Sequence, residues 1–290
     1  MLKRICLFLL CLALFGLAAC SGQHQDQAPQ SPPSISTPAP NTEPVAPPPT
    51  NSVQEPVPSK QLAGGQDLSW YYNPNANHQV PSISPEVSKL LSQYQALYVV
   101  PNAGHKIYLT FDEGYELGYT GQILDTLKSN QIHAAFFITA QFLKTQPDLV
   151  KRMKTEGHLV CNHTSNHKDL ATLSRENASQ EITSLERSVQ QQAGINLDKY
   201  MRPPMGNYSE LSLAVTRELG YTTVFWSMAL VDWDPAKQPG VESVYQHIIK
   251  NIHPGAIILL HGVSQSDTQA LDRVIKELQQ EGYVFSTFPA

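Results

Sequence analysis

From Lys106 to the end of the chain, short apolar runs alternate with longer stretches whose apolar residues recur every three or four positions. The runs "KIYLTF", "AAFFIT", "HLVCN", "YMRPP", "TTVFW", "AIILL" and "YVFST" are of strand length. Between them, "TGQILDTLKSN", "SQEITSLERSVQQQAG" and "LDRVIKELQQEG" carry the helical period, and two of these close on Gly, which takes the left-handed turn at a helix end without strain. Seven strands alternating with helices predict an α/β fold built on a parallel sheet, open or closed into a barrel. No internal repeat is visible.

Upstream, the pattern changes twice. Residues 63–105 hold several aromatics and a helical stretch near Pro85 to Tyr94, and are expected to pack on the domain that starts at Lys106. Residues 20–62 contain Pro, Ser, Thr, Gln and Asn with few large apolar side chains, and eleven of the chain's 22 prolines fall there. Such a segment cannot bury a core and is expected to stay extended or disordered, a Pro-rich linker. At roughly 3.1 Å per residue it could reach about 120 Å, the length of a tether.

Before the tether, Lys3 and Arg4 precede an apolar run from Ile5 to Ala19, too short to span a bilayer comfortably and of the form of a secretory signal. It ends in "LAAC", which resembles the lipobox of bacterial lipoproteins, where cleavage falls before the cysteine and lipid is attached to it. The expectation is export, with Cys20 anchoring the chain to the bacterial cell membrane, facing the cell wall or periplasm. With Cys6 and Cys11 removed with the signal, Cys161 is the one remaining thiol, so no intrachain disulfide can form and the domain must rely on its core. Loss of Lys3 and Arg4 takes the formal charge from −5 to −7, which disfavours nucleic acid as a partner. A monomer is expected.

The reactive residues share one topological position. Asp112 and Glu113 end the first strand, His163 and His167 follow the third, Arg202 lies on the fourth, Asp232 and Trp233 follow the fifth, and His261 ends "AIILLH". In an α/β barrel these strand ends gather on one face, where catalytic groups collect. Two histidines four residues apart can grip one ion and, with a carboxylate, leave positions open for water and substrate. Arg202, stiffened by two prolines, needs an acid partner such as Asp112 if it is buried. Asp232 could orient His261. Cys161 reads as a small buried apolar residue.

The motifs "TFDEG", "NHTSNH", "RPPMG", "VDW" and "ILLH" occur in order, and the chain from Lys106 to Phe288 resembles the polysaccharide deacetylases, the NodB-homology enzymes of carbohydrate esterase family 4. The resemblance implies a distorted (β/α)7 barrel, a divalent metal (usually zinc), and hydrolysis of an N-acetyl group on an amino sugar. Carried over by position, it implies that Asp112 is the general base, that Glu113, His163 and His167 bind the metal, and that Arg202 holds Asp112. It further implies that the main-chain N–H of Met205 binds the oxyanion, that His261, oriented by Asp232, protonates the leaving amine, and that Trp233 and Leu260 shape the acetate pocket. Glu113 stands where most of the family has Asp.

The stretches "DEGYELGYT", "TVFWSMALVDWD", "HPGAIILLHGVS" and "NHQVPSISPEV" are similar to the δ-lactam-biosynthetic peptidoglycan deacetylases. That likeness implies N-acetylmuramic acid without its stem peptide as substrate, a muramoyl amidase acting earlier, and a role in spore cortex. Two further readings stay open: a deacetylase of peptidoglycan N-acetylglucosamine or another glycan, and a sugar-binding lipoprotein without activity.

Overall fold

The computed structural model describes residues 67–75 and 77–289; the signal, Cys20 and the Pro-rich segment lie outside these. The elements run in the order β1 (Leu68–Ser69), α1 (Pro85–Tyr94), β2 (Lys106–Glu113), α2 (Thr120–Ser129), β3 (Ala135–Ile138), α3 (Ala140–Thr145), α4 (Pro147–Thr155), β4 (Leu159–Asn162) and α5 (Arg175–Ala193). They continue with β5 (Tyr200–Met201), β6 (Asn207–Tyr208), α6 (Glu210–Glu218), β7 (Thr222–Thr223), β8 (Met228–Ala229), α7 (Val241–Asn251), β9 (Ile257–His261), α8 (Gln265–Gln280) and β10 (Val284–Phe285).

Seven parallel strands follow one another in the order β7-β5-β4-β3-β2-β9-β8, and β10 adds to the start of β2. With helices packed around its outer face, this curled sheet is the distorted (β/α)7 barrel. The seventh strand on the path is β8, a two-residue strand that the apolar pattern does not reveal, whereas "YVFST" supplies the side strand β10.

The centre is β2, whose residues from Ile107 to Glu113 are all buried. A strand buried on both faces sorts alternate side chains into two layers. Tyr108, with Ala135, Phe137, Cys161, Val224 and Ile257, fills the inside of the curl. Ile107, Leu109 and Phe111 face outward, with Phe136, Ile138, Val160, Ile258 and Leu260, into the larger layer beneath the helices. Cys161 is therefore inner core, free and fully buried, and burial pushes its thiol pKa well above the ordinary value.

Local chemistry sets the helix ends. Ser84, Ser174 and Ser264 each accept a backbone N–H from the first turn of α1, α5 and α8, and Gly194 closes α5 in the left-handed conformation. Trp70 stacks on Phe225, with ring centroids 4.5 Å apart, and donates its indole N–H to the Trp226 carbonyl at 3.0 Å. Leu91 of α1 joins Trp70, Tyr208, Leu213 and Phe225 in the same apolar cluster, so β1 and α1 lie against the barrel beside β6 and α6.

Candidate active site

Asp112 lies inside the curl at the rim, paired in register with His261 on β9. Arg202 approaches from the end of β5. Fully buried, it donates from Nη1 to Asp112 Oδ1 at 2.7 Å and from Nε to the Val224 carbonyl at 3.2 Å, with its guanidinium 4.2 Å above the Phe137 ring. The buried cation thus has a carboxylate, a carbonyl and an aromatic face, the partners its burial demands. Burial by itself would raise the Asp112 pKa, but the charges of Arg202, His163 and His261 outweigh it, and the carboxyl titrates below its ordinary value. Asp112 is ionised at neutral pH.

His261 has the opposite setting. Asp232, fully buried, accepts the His261 backbone N–H at 2.9 Å through Oδ2 and lies 2.8 Å from the His261 Nδ1 through Oδ1. Burial disfavours the imidazolium, yet the Asp232 charge and hydrogen bond more than offset this, and the His261 pKa is raised. One rim thus holds an ionised carboxylate and, on the paired strand, an imidazole biased towards its protonated form. Opposed pKa shifts of this kind separate a base from an acid.

His163 is buried beside Asp112. Its Nδ1 lies 2.8 Å from the Arg202 carbonyl, which accepts a proton and can donate none, so Nδ1 carries the hydrogen and Nε2 keeps its lone pair. Nε2 then faces Asp112 Oδ2 at 3.5 Å, an acceptor facing an acceptor. His167, on the exposed rim in a left-handed backbone conformation, sets its ring edge-on to His163 with centroids 4.9 Å apart. Desolvation of the rings lowers the pKa of both, and neutral imidazoles are the form that ligates metal.

Glu113 is not with them. Adjacent strand residues point to opposite faces, so when Asp112 enters the curl Glu113 must point outward. Its Oε2 accepts from Thr120 Oγ1 of α2 at 3.3 Å, and Oε1 is buried without a partner. Burial first, and then the charge of Glu116, raise its pKa well above the ordinary value. Among the described residues no cluster of three or more His, Cys, Asp or Glu side chains is arranged to hold an ion. The expected set of Glu113, His163 and His167 does not form. The groups at the rim that could ligate a divalent ion are the two imidazoles of His163 and His167, set edge to face.

The same alternation corrects Leu260. It belongs to the outer apolar layer under α7 and α8, on the other side of β9 from His261, and does not line an acetate pocket. Trp233 is half-buried immediately after Asp232. Met205 takes a left-handed conformation with φ 58° between Pro204 and Gly206, with its side chain exposed. A non-glycine residue held there marks a backbone constrained by its neighbours. The sequence does not single out Asp267: with Ser264 three residues before it, it reads as part of a helix cap, and its backbone N–H does bond to Ser264 Oγ at 3.1 Å. Its carboxyl, however, lies within hydrogen-bonding reach of Asp232.

Gly262 shows how tightly Glu113 is held. A Cβ at Gly262 would fall 2.1 Å from Glu113 Oε2 and 2.5 Å from its Cδ. Gly262→Ala must displace Glu113 or the end of β9 that carries His261, with an expected loss of about 1–3 kcal/mol in denaturant unfolding. Removing the obstruction with Glu113→Ala should recover part of it. A Gly262→Ala protein as stable as the wild type would show that Glu113 moves aside freely.

The family profile described as "Polysaccharide deacetylase" matches residues 100–224. The peptidoglycan-N-acetylmuramic acid deacetylase PdaA of Bacillus subtilis is 42% identical over 235 residues, which cover 78% of this chain and 89% of that protein. A peptidoglycan-N-acetylglucosamine deacetylase of Bacillus cereus is 32% identical over 204 residues, covering 69% of this chain and 73% of its own length. The solved structure of Bacillus subtilis PdaA, described as a family 4 carbohydrate esterase, superposes with a TM-score of 0.74 at 43% identity, covering 77% of this chain and 95% of that one. With this extent of identity over a shared barrel, the chain belongs to the polysaccharide deacetylase family, carbohydrate esterase family 4.

Proposed function

We propose that the protein deacetylates peptidoglycan, and that its substrate is N-acetylmuramic acid freed of its stem peptide. The observation that carries the reaction is the pairing of ionised Asp112 with His261 across β2 and β9. Asp112 takes a proton from the attacking water as its oxygen bonds to the acetamide carbonyl carbon. His261 delivers a proton to the sugar nitrogen as the C–N bond breaks, leaving acetate and a free amine. Protonation is required because an amide anion is too poor a leaving group to depart alone. Arg202 keeps Asp112 oriented and charged, and the main-chain N–H of Met205 is assigned to the developing oxyanion. A divalent ion, zinc by the family's habit, would be held by His163 and His167 and would supply Lewis acidity at the water and the carbonyl.

The choice of muramic acid rests on the likeness to PdaA, whose name specifies it. A stem peptide on the lactyl group would crowd a rim that already carries the exposed side chains of Tyr115, Leu117, Met205 and Val231. Acetate release from intact and from amidase-treated peptidoglycan tests both levels of the reading. Faster release from the amidase-treated glycan is expected. Equal rates favour the glucosamine or general glycan reading, and no release from either favours a sugar-binding protein without activity.

For location, we propose lipid anchoring through Cys20, on the strength of the "LAAC" sequence after an apolar leader. Cys20→Ala should move the protein from the membrane to the soluble fraction. Membrane association that persists in that variant would require another anchor.

A further inference from the structure

We propose that Asp267 is a positioning residue for His261, completing a buried chain in which the Asp267 carboxylic acid donates a hydrogen bond to Asp232 and Asp232 accepts from His261. This rests on the reading of His261 as the proton donor to the leaving amine.

Asp232 and Asp267 are both buried, at 0% and 1% exposure, and their carboxyl groups lie within hydrogen-bonding reach. Neither oxygen of Asp267 has a protein donor by geometry, whereas both oxygens of Asp232 face His261, through its backbone N–H and its Nδ1. Two ionised carboxylates cannot share so dry a place, and one proton between them resolves the conflict. Asp232, with two donors and a cationic partner, keeps the charge. The proton therefore belongs to Asp267.

The surroundings of Asp267 agree. It borders a small cavity whose other walls include Leu109 of β2, Val244 and Ile248 of α7, Ile258 and Leu260 of β9, and Leu271 of α8. The titratable groups that face it are Asp232 and His261; the Ser264 hydroxyl and the His261 backbone N–H lie beside it, and with no full charge to offset burial other than the His261 ring, which Asp232 already holds, the site favours the neutral acid. The first turn of α8 favours an anion, but its N-terminus already has the Ser264 hydroxyl on the Asp267 N–H. Burial and the Asp232 charge together raise the Asp267 pKa well above the ordinary value.

A hydrogen bond from Asp267 draws electron density from Asp232 and weakens its hold on the imidazolium, which makes His261 a stronger acid than an isolated Asp–His pair would. Asparagine can donate the same bond from its amide; leucine cannot. The test is an NMR titration of the His261 imidazole in the full-length protein and in its Asp267→Asn and Asp267→Leu variants, with kcat and KM for acetate release measured across pH.

Asp267→Asn should keep the wild-type His261 pKa and the alkaline limb of kcat. Asp267→Leu should raise the His261 pKa by about half a unit or more, move the limb upward, and lower kcat several-fold at unchanged KM. If the leucine variant does not fold, the asparagine variant decides. A fall of the His261 pKa in Asp267→Asn would mean that Asp267 is an anion and would overturn the proposal, as would an unmoved pKa in a folded Asp267→Leu. The NMR pattern stands apart from turnover: if it holds in a protein that releases no acetate, the hydrogen-bond chain is right and the deacetylase reading is wrong.

Discussion

Asp112→Asn is expected to lower kcat for acetate release by roughly 10²-fold or more, with little change in KM. The substitution keeps the shape of the side chain and an oxygen facing Arg202 Nη1, so the rim should stay in place while its proton acceptor is lost. His261→Ala should cost a comparable factor by removing the donor to the leaving amine. The double variant should fall well short of the product of the two losses, because both groups serve one transition state. Asp112→Ala is a harsher change. It leaves the buried Arg202 without its carboxylate, and loss of one partner of a buried pair costs about 3–5 kcal/mol, so reduced stability should accompany the lost turnover. Near wild-type rates in both Asp112→Asn and His261→Ala would overturn the assigned roles.

The second large effect concerns metal. Zinc titration by calorimetry should show His163→Ala losing affinity by about 100-fold or more, with His167→Ala close behind, since these imidazoles are the paired neutral donors on the rim. Glu113→Gln should bind zinc as the wild type does. Its carboxyl lies against Thr120 and Gly262 on the outward face of β2, so it does not have the position of a ligand. A matching loss of affinity in Glu113→Gln would mean that the end of β2 rearranges on binding the ion and that the outward placement is not the working one.

These outcomes bear on why a strand should end in two adjacent acids. Two carboxylates at 112 and 113 suggest one site with two jobs, a base and a ligand. The alternation of a doubly buried strand separates them: Asp112 enters the curl, where Arg202 holds it ionised, and Glu113 goes beneath α2, where burial pushes its pKa up. Each carboxyl acquires its role from the layer it enters.

What the sequence determined by itself is what local chemistry encodes. Apolar runs and helical periods located β2, β3, β4, β9, α2, α5 and α8; Ser84 with Pro85 set the start of α1; Gly194 set the end of α5. The rule that strand ends of an α/β barrel share a face brings Asp112, His163, Arg202, Asp232 and His261 together from the sequence, and all five meet at one rim. What only the tertiary structure decided is the side of a strand on which each group emerges and what it meets there. Period-two alternation applies to every strand, but a strand buried on both faces is apolar throughout, so its pattern does not say which set is inner. For this reason position at the strand end puts Glu113 in the site, and the family resemblance puts Leu260 there, although the side chains of both leave it. Strands of two residues such as β8 carry too few positions to show a period, and its place on the barrel path is set by pairing with β9. Asp267 was hidden for a related reason: its sequence context is that of a helix cap, and only the docking of α8 against the segment after β8 brings its carboxyl to Asp232, where burial gives two ordinary acids one shared proton.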